Sequence, residues 1–382
     1  MNKKKIIFVI NGHSFTAKHR LPLINSLLLK GYKIKCVVPI NSGAYIELKK
    51  NNIPTISWNV SRKGINPLLE LLSVLRLFQI YKKESPIAII HATIKPVIYG
   101  TIVSRFTTLP HIINLVTGLG SVFISAGWIN KIKRDVICIV YNLIFSYIPQ
   151  TVIFQNQSDR NYLLDKKRYK LLNAVIIPGS GINILDFPVC KFPDQKKVTF
   201  IGRILKEKGV FSFIETAKLV KKKRKDIVFL LAGPLDKGNP SYIEEGMIKK
   251  WETNNIIKWI GNVDNILEVY KMSSIVALPS YREGLPKVLL EANLTGRPVI
   301  ASNVPGCRDV VIHSKTGYLF DLNDNKAFAS YILKLIDDEE KMKRIGNAGR
   351  NYVKKHFSTE VIIPQIINEI EKLITNKLFL DE

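Results

Sequence analysis

The sequence predicts an α/β protein of two domains, each a parallel sheet covered by helices on both faces. Short β-branched apolar runs alternate with longer helical patterns, and this alternation is typical of βαβ units. The pattern restarts after residues 182–197, which contain two prolines and show no clear period. A length of 382 residues also fits two domains. We therefore expect two doubly wound, Rossmann-like domains that face a central cleft.

The predicted boundaries follow from this restart. The first domain spans residues 1–190 and the second spans residues 191–357. Residues 358–382 form a further segment with one amphipathic helix, interrupted by Pro364. The predicted strands are residues 5–10, 34–39, 87–91, 111–116 and 151–155 in the first domain, and residues 198–201, 227–232, 256–259, 275–279 and 298–302 in the second.

The chain is strongly basic, with 57 Lys and Arg against 31 Asp and Glu, which gives a formal net charge of +26 at pH 7. Such a field favours polyanionic partners: nucleic acid, anionic lipid or phosphorylated small molecules. The excess is mostly Lys in a chain also rich in Ile and Asn, a composition that A/T-rich codons also produce. Charge alone therefore selects no single partner. The 46% share of hydrophobic residues excludes a disordered chain.

The cysteines and apolar runs indicate the compartment. The four cysteines form no Cys-x-x-Cys pair, which argues against a zinc site or disulfide framework and fits a reducing compartment. Asn11 and Gly12 end the first apolar run after about five residues, too soon for a secretory signal, so we interpret that run as a strand. The longest apolar stretch, residues 136–148, is shorter than the ~18 residues of a spanning helix. We expect a cytoplasmic protein.

Residues 278–292 carry the most informative motif. A predicted strand leads into a loop, and Pro286 suits the first position of the following helix. Gly284 in that loop lets a ligand approach the backbone closely. The N–H groups of Gly284, Leu285 and Lys287, together with the positive end of the helix dipole, predict a diphosphate-binding site.

Two carboxylates flank this predicted helix start. Glu291 lies roughly 7–8 Å beyond Pro286 at about 1.5 Å per residue, one ribose away from a bound diphosphate. A carboxylate there can accept hydrogen bonds from both ribose hydroxyls. The alternative is that Glu291 is an exposed helix residue and that Glu283 is a helix-start carboxylate favoured by the dipole.

A second basic motif follows the first strand of the second domain. Gly202 and Arg203 end that strand, and Lys208 precedes the next helix. Arg as a planar fork and Lys as a point charge can both bind the same phosphates. The alternative is ordinary surface charge. Further along, the backbone around Val263 follows another strand and could read the edge of a base.

Several motifs occur together in the second half of the chain: Gly202-Arg203, Lys208-Gly209, Leu278-Pro279-Ser280, and Glu283 with Glu291 in a Glu-x7-Glu spacing. As a set they resemble the retaining glycosyltransferases of family 4, whose GT-B fold has two Rossmann-like domains facing a cleft. The first half is most similar to bacterial enzymes that build O-antigen, capsule or lipid-linked oligosaccharide, through His19-Arg20-Leu21-Pro22, Thr117-Gly118-Leu119-Gly120 and residues 154–159.

The resemblance implies roles for these positions. Arg203 and Lys208 would bind the donor diphosphate and stabilise the leaving group. Glu283 would face the donor sugar, either as a nucleophile or as a stabiliser of positive charge, and this choice stays open. Glu291 would hold the nucleotide ribose, with Gly202, Val263, Gly284, Leu285 and Pro286 around the nucleotide. The last helix would cross back to the first domain.

In the first domain the resemblance implies a phosphate contact at Gly12 and an acceptor side at His19, Arg20, His91 and Thr117. Family members often have a Gly-Gly pair where this chain has Asn11-Gly12. Many also place a catalytic His where this chain has Thr117. His91 ends the preceding strand, and both a catalytic and a structural interpretation of it stay open, with the structural one favoured.

The expected activity is that of a retaining hexosyltransferase that needs no cofactor. It would move a hexose or N-acetylhexosamine from a UDP-sugar to a polyprenyl-diphosphate-linked saccharide. GDP would offer the same diphosphate and ribose, so the carrier stays open. The sequence has no Asp-x-Asp triplet to hold a divalent metal, so we expect metal-independent transfer, with cations and the helix dipole meeting the diphosphate charge.

Two other functions are compatible with parts of the sequence. A basic nucleic-acid-binding protein would fit the charge, but it would need a known module or aromatic residues among the basic clusters, and neither occurs. A UDP-sugar 2-epimerase shares the predicted fold but lacks the combination of Arg203, Lys208, Glu283 and Glu291 in this form. We therefore rank both below a glycosyltransferase.

Basic clusters predict contact of the first domain with the anionic face of the inner membrane. Trp128 and the apolar run 136–148 lie beside one such cluster, and this combination suits an anionic leaflet. The alternative for residues 136–148 is a helix buried under the sheet. The basic clusters are residues 3–5, 62–63, 82–83, 131–134 and 166–168.

Overall fold

A computed structural model describes residues 4–12, 14–61, 66–107, 111–119, 123, 128–164 and 172–375 of the chain. It has two compact units: unit 1 is residues 1–181 with 359–382, and unit 2 is residues 182–358. Residues 182–190 fold with unit 2, because Ile182 is buried in its core and the Phe187 ring lies 6.2 Å from that of Tyr270. The basic residues 3, 62–63 and 166–168 lie outside the described residues.

Unit 1 contains a parallel sheet in the order β3-β2-β1-β4-β5-β6-β7. The strand order reverses between β1 and β4, which is the point where open α/β sheets bind ligands beyond the carboxyl ends of the strands. The short edge strands β3 and β7 lie outside the strands predicted from sequence. The strands are β1 (Lys5–Ile10), β2 (Lys33–Val38), β3 (Thr55–Ser57), β4 (Ala88–Ala92), β5 (Ile112–Val116), β6 (Gln150–Phe154) and β7 (Leu172–Ile176).

Helices cover both faces of this sheet, and each face has its own apolar core. The helices that precede the chain's crossing into unit 2 are α1 (Ser14–Lys18), α2 (Leu21–Leu29), α3 (Gly43–Lys50), α4 (Pro67–Glu84), α5 (Ile94–Arg105), α6 (Trp128–Tyr147) and α7 (Gln157–Leu163).

α6 is amphipathic in an unusual way. Tyr141, Ile144 and Phe145 are buried in the core under β5 and β6, whereas the opposite side of the helix exposes apolar side chains. The buried-helix interpretation of residues 136–148 is thus right for one side of the helix. Among the described residues, no helix combines the length and apolar character needed to cross a bilayer.

Unit 2 contains a parallel sheet in the order β10-β9-β8-β11-β12-β13, with the reversal between β8 and β11. Its strands are β8 (Lys197–Ile201), β9 (Val228–Ala232), β10 (Lys258–Gly261), β11 (Ile275–Leu278), β12 (Val299–Ser302) and β13 (Tyr318–Phe320). Its helices are α8 (Val210–Lys221), α9 (Glu245–Thr253), α10 (Ile266–Lys271), α11 (Lys287–Leu294), α12 (Cys307–Val310), α13 (Asn325–Ile336) and α14 (Glu339–Phe357).

The last helix, α15 (Thr359–Thr375), returns the chain to unit 1 and packs beside α2. The predicted interruption at Pro364 is wrong, because the helix continues through it. Pro364 lies on the exposed side, where water can satisfy the carbonyl that loses its helical partner. Burial of the other side outweighs that loss, and it involves Ile362, Ile363, Ile366, Ile367, Ile370 and Leu373.

Candidate active site

The candidate site of unit 2 lies where the sheet order reverses. β8 and β11 are neighbours, and the loops that follow them carry Lys208 and Glu283. Lys208 Nζ donates a hydrogen bond of 2.6 Å to Glu283 Oε1, and both side chains are largely buried. Two of the three predicted catalytic residues are therefore in direct contact, although 75 positions separate them in sequence.

Close backbone packing holds these two loops together. Gly209, with φ +76°, lies so close to the β11 loop that a Cβ would be 1.9 Å from the Pro279 carbonyl oxygen. The Tyr281 N–H donates a 3.0 Å hydrogen bond to the Glu207 carbonyl. Any side chain at 209 would separate the loops, since both its φ and the available space suit only glycine.

A third loop supports the carboxylate loop from the other side. Gly306, which precedes α12, has φ +79°, and a Cβ there would lie 2.6 Å from the Gly284 carbonyl oxygen and 2.7 Å from that of Glu283. The loop after β12 thus fixes the backbone that presents Glu283.

Arg203 lies beyond the end of β8 and pairs with a residue of the neighbouring loop. Its Nη1 donates to Asp236 Oδ2 at 2.9 Å, and both side chains are partly exposed. Gly202 also belongs to this edge, because its N–H donates to the Ala232 carbonyl at 2.9 Å. A guanidinium held in this way at the surface can exchange a carboxylate for a phosphate without burial of new charge.

Glu291 lies on α11 and accepts a hydrogen bond from a buried phenol. Tyr270 Oη donates to Glu291 Oε2 at 2.7 Å. Burial raises the pKa of Glu291, and the hydrogen bond from Tyr270 and the charge of Lys287 act against that rise. Burial also raises the pKa of Tyr270, so the phenol stays protonated and donates.

The remaining nucleotide-side residues of unit 2 lie around this edge. Pro286 caps α11, which begins one residue later than predicted, at Lys287. Leu285 is half-buried against the core, and Val263 packs there too, after the end of β10. The structure therefore brings Lys208 to Glu283 and Tyr270 to Glu291, and it places Val263 on a separate loop of the same sheet edge.

In unit 1, Gly12 and Thr93 mark the point where the strand order reverses. A Cβ at Gly12 would lie 2.5 Å from Thr16 Oγ1, so α1 approaches the β1 loop only because residue 12 is glycine. Thr93 Oγ1 donates to the Asn11 carbonyl at 3.1 Å and ties the ends of β1 and β4 together. Thr93 has φ +80°, a strained conformation for a β-branched residue.

Arg20 is a buried cation at the start of α2. Only 4% of it is exposed, and among the described residues no acceptor lies within hydrogen-bond distance of its Nε. Burial lowers its pKa to about 10. His19 is half-buried beside it, and Thr117 is half-buried directly after β5. A buried guanidinium with an unsatisfied Nε favours an anion as its ligand.

His91 lies in the interior of unit 1 and is fully buried. Its Nδ1–H donates to Asn114 Oδ1 at 2.7 Å, and its Nε2 accepts from Tyr81 Oη at 2.7 Å. Burial lowers the pKa of His91 to about 4, so the ring is neutral at pH 7. A Cβ on Gly100 would lie 2.1 Å from the ring, which shows how tightly the helix packs on it. These contacts favour the structural interpretation of His91.

The described residues bring together no group of three or more His, Cys, Asp or Glu side chains suited to a metal ion. The cations described at this sheet edge, Arg203 and Lys208, are each paired with a carboxylate.

Three residues of the site were not predicted from sequence. Gly306 gave a weak signal, since it follows a strand and a proline. Tyr270 and Asp236 gave none, because each reaches its partner only through the fold: 21 positions separate Tyr270 from Glu291, and 33 separate Arg203 from Asp236.

Two parallel α/β units, one of which has charged pairs at its strand reversal, are typical of enzymes that bind ligands beyond the carboxyl ends of the strands. Comparison with known families is more specific. Residues 5–155 match the model described as glycosyl transferase 4-like, and residues 184–352 match the model described as glycosyl transferases group 1. The chain therefore belongs to the glycosyltransferases, with a 4-like domain followed by a group 1 domain.

Full-length relatives are similar in both domains. The chain is 26% identical to the N,N'-diacetylbacillosaminyl-diphospho-undecaprenol alpha-1,3-N-acetylgalactosaminyltransferase of Campylobacter jejuni, over 97% of this chain and 100% of that one. It is 27% identical to the capsular polysaccharide biosynthesis glycosyltransferase CapM of Staphylococcus aureus, over 92% of this chain and 93% of that one.

Solved structures confirm the predicted GT-B fold. The Anabaena protein HepE, solved in complex with UDP and glucose, superposes with a TM-score of 0.78 at 19% identity, over 96% of this chain and 99% of that one.

Proposed function

We propose that this glycosyltransferase moves a hexose or N-acetylhexosamine from a UDP-sugar to a polyprenyl-diphosphate-linked saccharide, with retention of anomeric configuration, in the synthesis of a bacterial surface polysaccharide such as O-antigen or capsule. The observation that carries the proposal is the clustering of Lys208, Glu283 and Arg203 at one sheet edge of unit 2, with Glu291 on the following helix. HepE binds UDP on the same fold, and the Campylobacter relative acts on a diphospho-undecaprenol acceptor.

In this proposal the donor binds to unit 2. Glu291 accepts the ribose hydroxyls, and the start of α11 at Gly284, Leu285 and Pro286 lies beside the diphosphate. Arg203 and Lys208 stabilise the charge that develops on the departing nucleoside diphosphate, which is the largest electrostatic demand of the reaction. These cations take the place of a divalent metal, so transfer is metal-independent and uses no cofactor.

Glu283 faces the donor sugar in this arrangement. Its carboxylate is fixed by Lys208 and by the backbone contact of Gly306, so it has one orientation from which to meet positive charge at the anomeric carbon. Such a fixed, largely buried carboxylate needs little reorganisation as the leaving group departs.

The acceptor side belongs to unit 1 in this proposal. The buried guanidinium of Arg20, with its unsatisfied Nε, supports a site for the acceptor diphosphate, with His19 beside it. Gly12 and Thr117, at the ends of β1 and β5, lie on the same carboxyl edge of the sheet. Because the acceptor is a lipid, the protein would work at the cytoplasmic face of the inner membrane as a peripheral protein.

The first test is calorimetric titration of the protein with UDP, GDP and ADP in the absence of metal. We expect saturable binding of UDP, loss of that binding in Glu291→Ala, and unchanged binding in Glu215→Ala, which removes an exposed carboxylate of α8. Tighter binding of GDP than of UDP would change the proposed nucleotide carrier of the donor sugar to GDP. Absence of all nucleotide binding, together with binding of an oligonucleotide, would overturn the proposal.

A further inference from the structure

The exposed apolar side chains of this protein are concentrated on two helices of unit 1. Of the 25 large apolar side chains that are exposed among the described residues, five lie on α4 and six on α6. Both helices pack against α5, so they flank it on one face of the sheet. Scattered exposed apolar residues need no explanation, but a contiguous set marks an interaction surface.

The six residues of α6 form a continuous stripe. Their spacing of four, four, three, four and four positions places them on one side of a helix, opposite the buried side. The stripe runs for roughly 28 Å at 1.5 Å per residue. Its members, between 52% and 73% exposed, are Trp128, Ile132, Val136, Ile139, Leu143 and Tyr147.

Charged and aromatic residues are arranged around this stripe in a specific way. Lys131 and Lys133 are exposed, and helical periodicity places them on opposite borders of the stripe. Trp128 begins the stripe and Tyr147 ends it. Aromatic rings with one polar atom favour the boundary between water and lipid, and a Lys stem can lie along apolar surface while its ammonium reaches phosphate.

We propose that α6 lies flat on an anionic phospholipid surface, with its stripe inserted at the headgroup boundary and Lys131 and Lys133 bound to lipid phosphates. This inference rests on the proposed function only in placing the acceptor in that same bilayer. The exposed leucines of the first half of α4 (Leu68, Leu69, Leu71, Leu72 and Leu75) extend the apolar surface on the other side of α5.

Charge selects the bilayer over a second copy of this chain. Two copies of this chain would each carry a net charge of +26, and the repulsion between them opposes self-association through the stripe. An anionic leaflet instead attracts this positive charge, and each Lys near its surface strengthens binding.

The test measures binding of the intact protein to vesicles by sedimentation, with neutral phosphatidylcholine vesicles compared to vesicles that contain 30% phosphatidylglycerol. We expect binding to the anionic vesicles and its loss as salt rises. Trp128 is the most exposed of the four tryptophans, so tryptophan emission shifts to shorter wavelength on binding, and Trp128→Phe abolishes that shift whereas Trp259→Phe keeps it.

Two variants with the same change in charge separate the stripe from general repulsion. Val136→Glu/Ile139→Glu/Leu143→Glu should lose vesicle binding by at least about tenfold. Leu29→Glu/Leu185→Glu/Met247→Glu, at exposed positions elsewhere, should lose much less. Equal losses in the two variants would overturn the proposal. It would also be overturned if the wild type formed a dimer and bound no vesicles while the stripe variant was a monomer.

The stripe variant also distinguishes this inference from the proposed function. It should bind UDP as the wild type does and should transfer sugar to a short-chain, water-soluble acceptor, while transfer to acceptor embedded in vesicles falls. If the wild type binds vesicles normally but binds no nucleotide, the proposed α6 surface is supported and the proposed function is contradicted. Normal transfer of sugar by the stripe variant to the acceptor embedded in vesicles would contradict the proposed membrane contact of α6.

Discussion

Both sheets reverse their strand order once, but the polar side chains around the two reversals differ. In unit 2 the edge carries charged side chains in pairs, the partly exposed Arg203 with Asp236 and the largely buried Lys208 with Glu283. In unit 1 the polar groups around β4 are neutral and buried, with His91 at the centre of their hydrogen bonds. Surface pairs can exchange partners at small cost, whereas a buried network cannot.

This difference is the reason for proposing the nucleotide site at the edge of unit 2. A nucleotide must arrive and leave in each turnover, so its site needs cations that are already held at the surface. The network around His91 instead fixes α4 and α5 against β4 and β5 through side chains that water does not reach. Arg20 is the exception in unit 1, because it is a buried charge rather than a neutral group.

The largest effect that we expect from a single substitution at the charged edge of unit 2 is at Lys208. Lys208→Ala should lower kcat about 10²–10³-fold, since in the proposed mechanism this lysine stabilises charge on the leaving diphosphate. Steady-state assays at saturating donor measure this loss. Lys218→Ala is the matched control, because that lysine pairs with Glu215 on the exposed side of α8.

A purely structural role for Lys208 predicts a different outcome. The double variant Lys208→Met/Glu283→Gln removes both charges, so it should recover the stability lost in Lys208→Ala. Recovery of activity in that double variant would show that the pair serves only the fold and would contradict the catalytic assignment.

Buried His91 makes the stability of the protein depend on pH. Its folded pKa of about 4 lies below the ordinary 6.5, so between these values the unfolded chain binds more protons than the folded one. Stability therefore falls as pH falls from 6.5 to 4, by about 3 kcal/mol over the whole interval. Urea unfolding at pH 7 and pH 5 measures most of this change.

The change in the free energy of unfolding with pH, rather than its value at one pH, tests whether His91 causes the acid sensitivity. His91→Gln disturbs the network at every pH, but it should remove most of the slope. His356→Gln, at an exposed position of α14, should keep it. An unchanged slope in His91→Gln would mean that other groups cause the acid sensitivity.

Residues that act through local backbone chemistry were accessible from sequence. The glycine and proline at 284 and 286, between an apolar strand and a helical pattern, indicate a loop that approaches a ligand, and the structure has that loop. The alternation of strand and helix likewise predicted both parallel sheets. The edge strand Thr55–Ser57 was not predicted, because its three residues, none of them fully buried, give no periodic signal.

Contacts across the fold could not be predicted in this way. Pairing of Arg203 with Asp236 depends on β8 and β9 being neighbours, and support of Glu283 by Gly306 depends on the order of β11 and β12. The sequence of His91 and its neighbours likewise gave no sign that Tyr81 and Asn114 occupy both ring nitrogens. Such contacts follow from strand order, which local patterns do not encode.

The smallest expected effect concerns Tyr270, a buried neutral side chain that contacts Glu291 of the proposed nucleotide site. If Glu291 holds the ribose, its hydrogen bond from Tyr270 fixes the carboxylate for that task. Tyr270→Phe should then weaken UDP binding about tenfold at pH 7, the scale of a hydrogen bond to a charged group. Tyr352→Phe, which removes another phenol of unit 2, should not.

Two readouts separate positioning from a general loss of structure at Tyr270. The 2′,3′-dideoxy analogue of UDP lacks the hydroxyls that Glu291 would bind, so wild type and Tyr270→Phe should bind it equally. Because the phenol lowers the pKa of Glu291, its removal should raise that pKa further. UDP binding, which needs the carboxylate, should then fail at a higher pH in the variant as the solution is acidified. Equal weakening for UDP and its dideoxy analogue would show that Tyr270 only supports the fold.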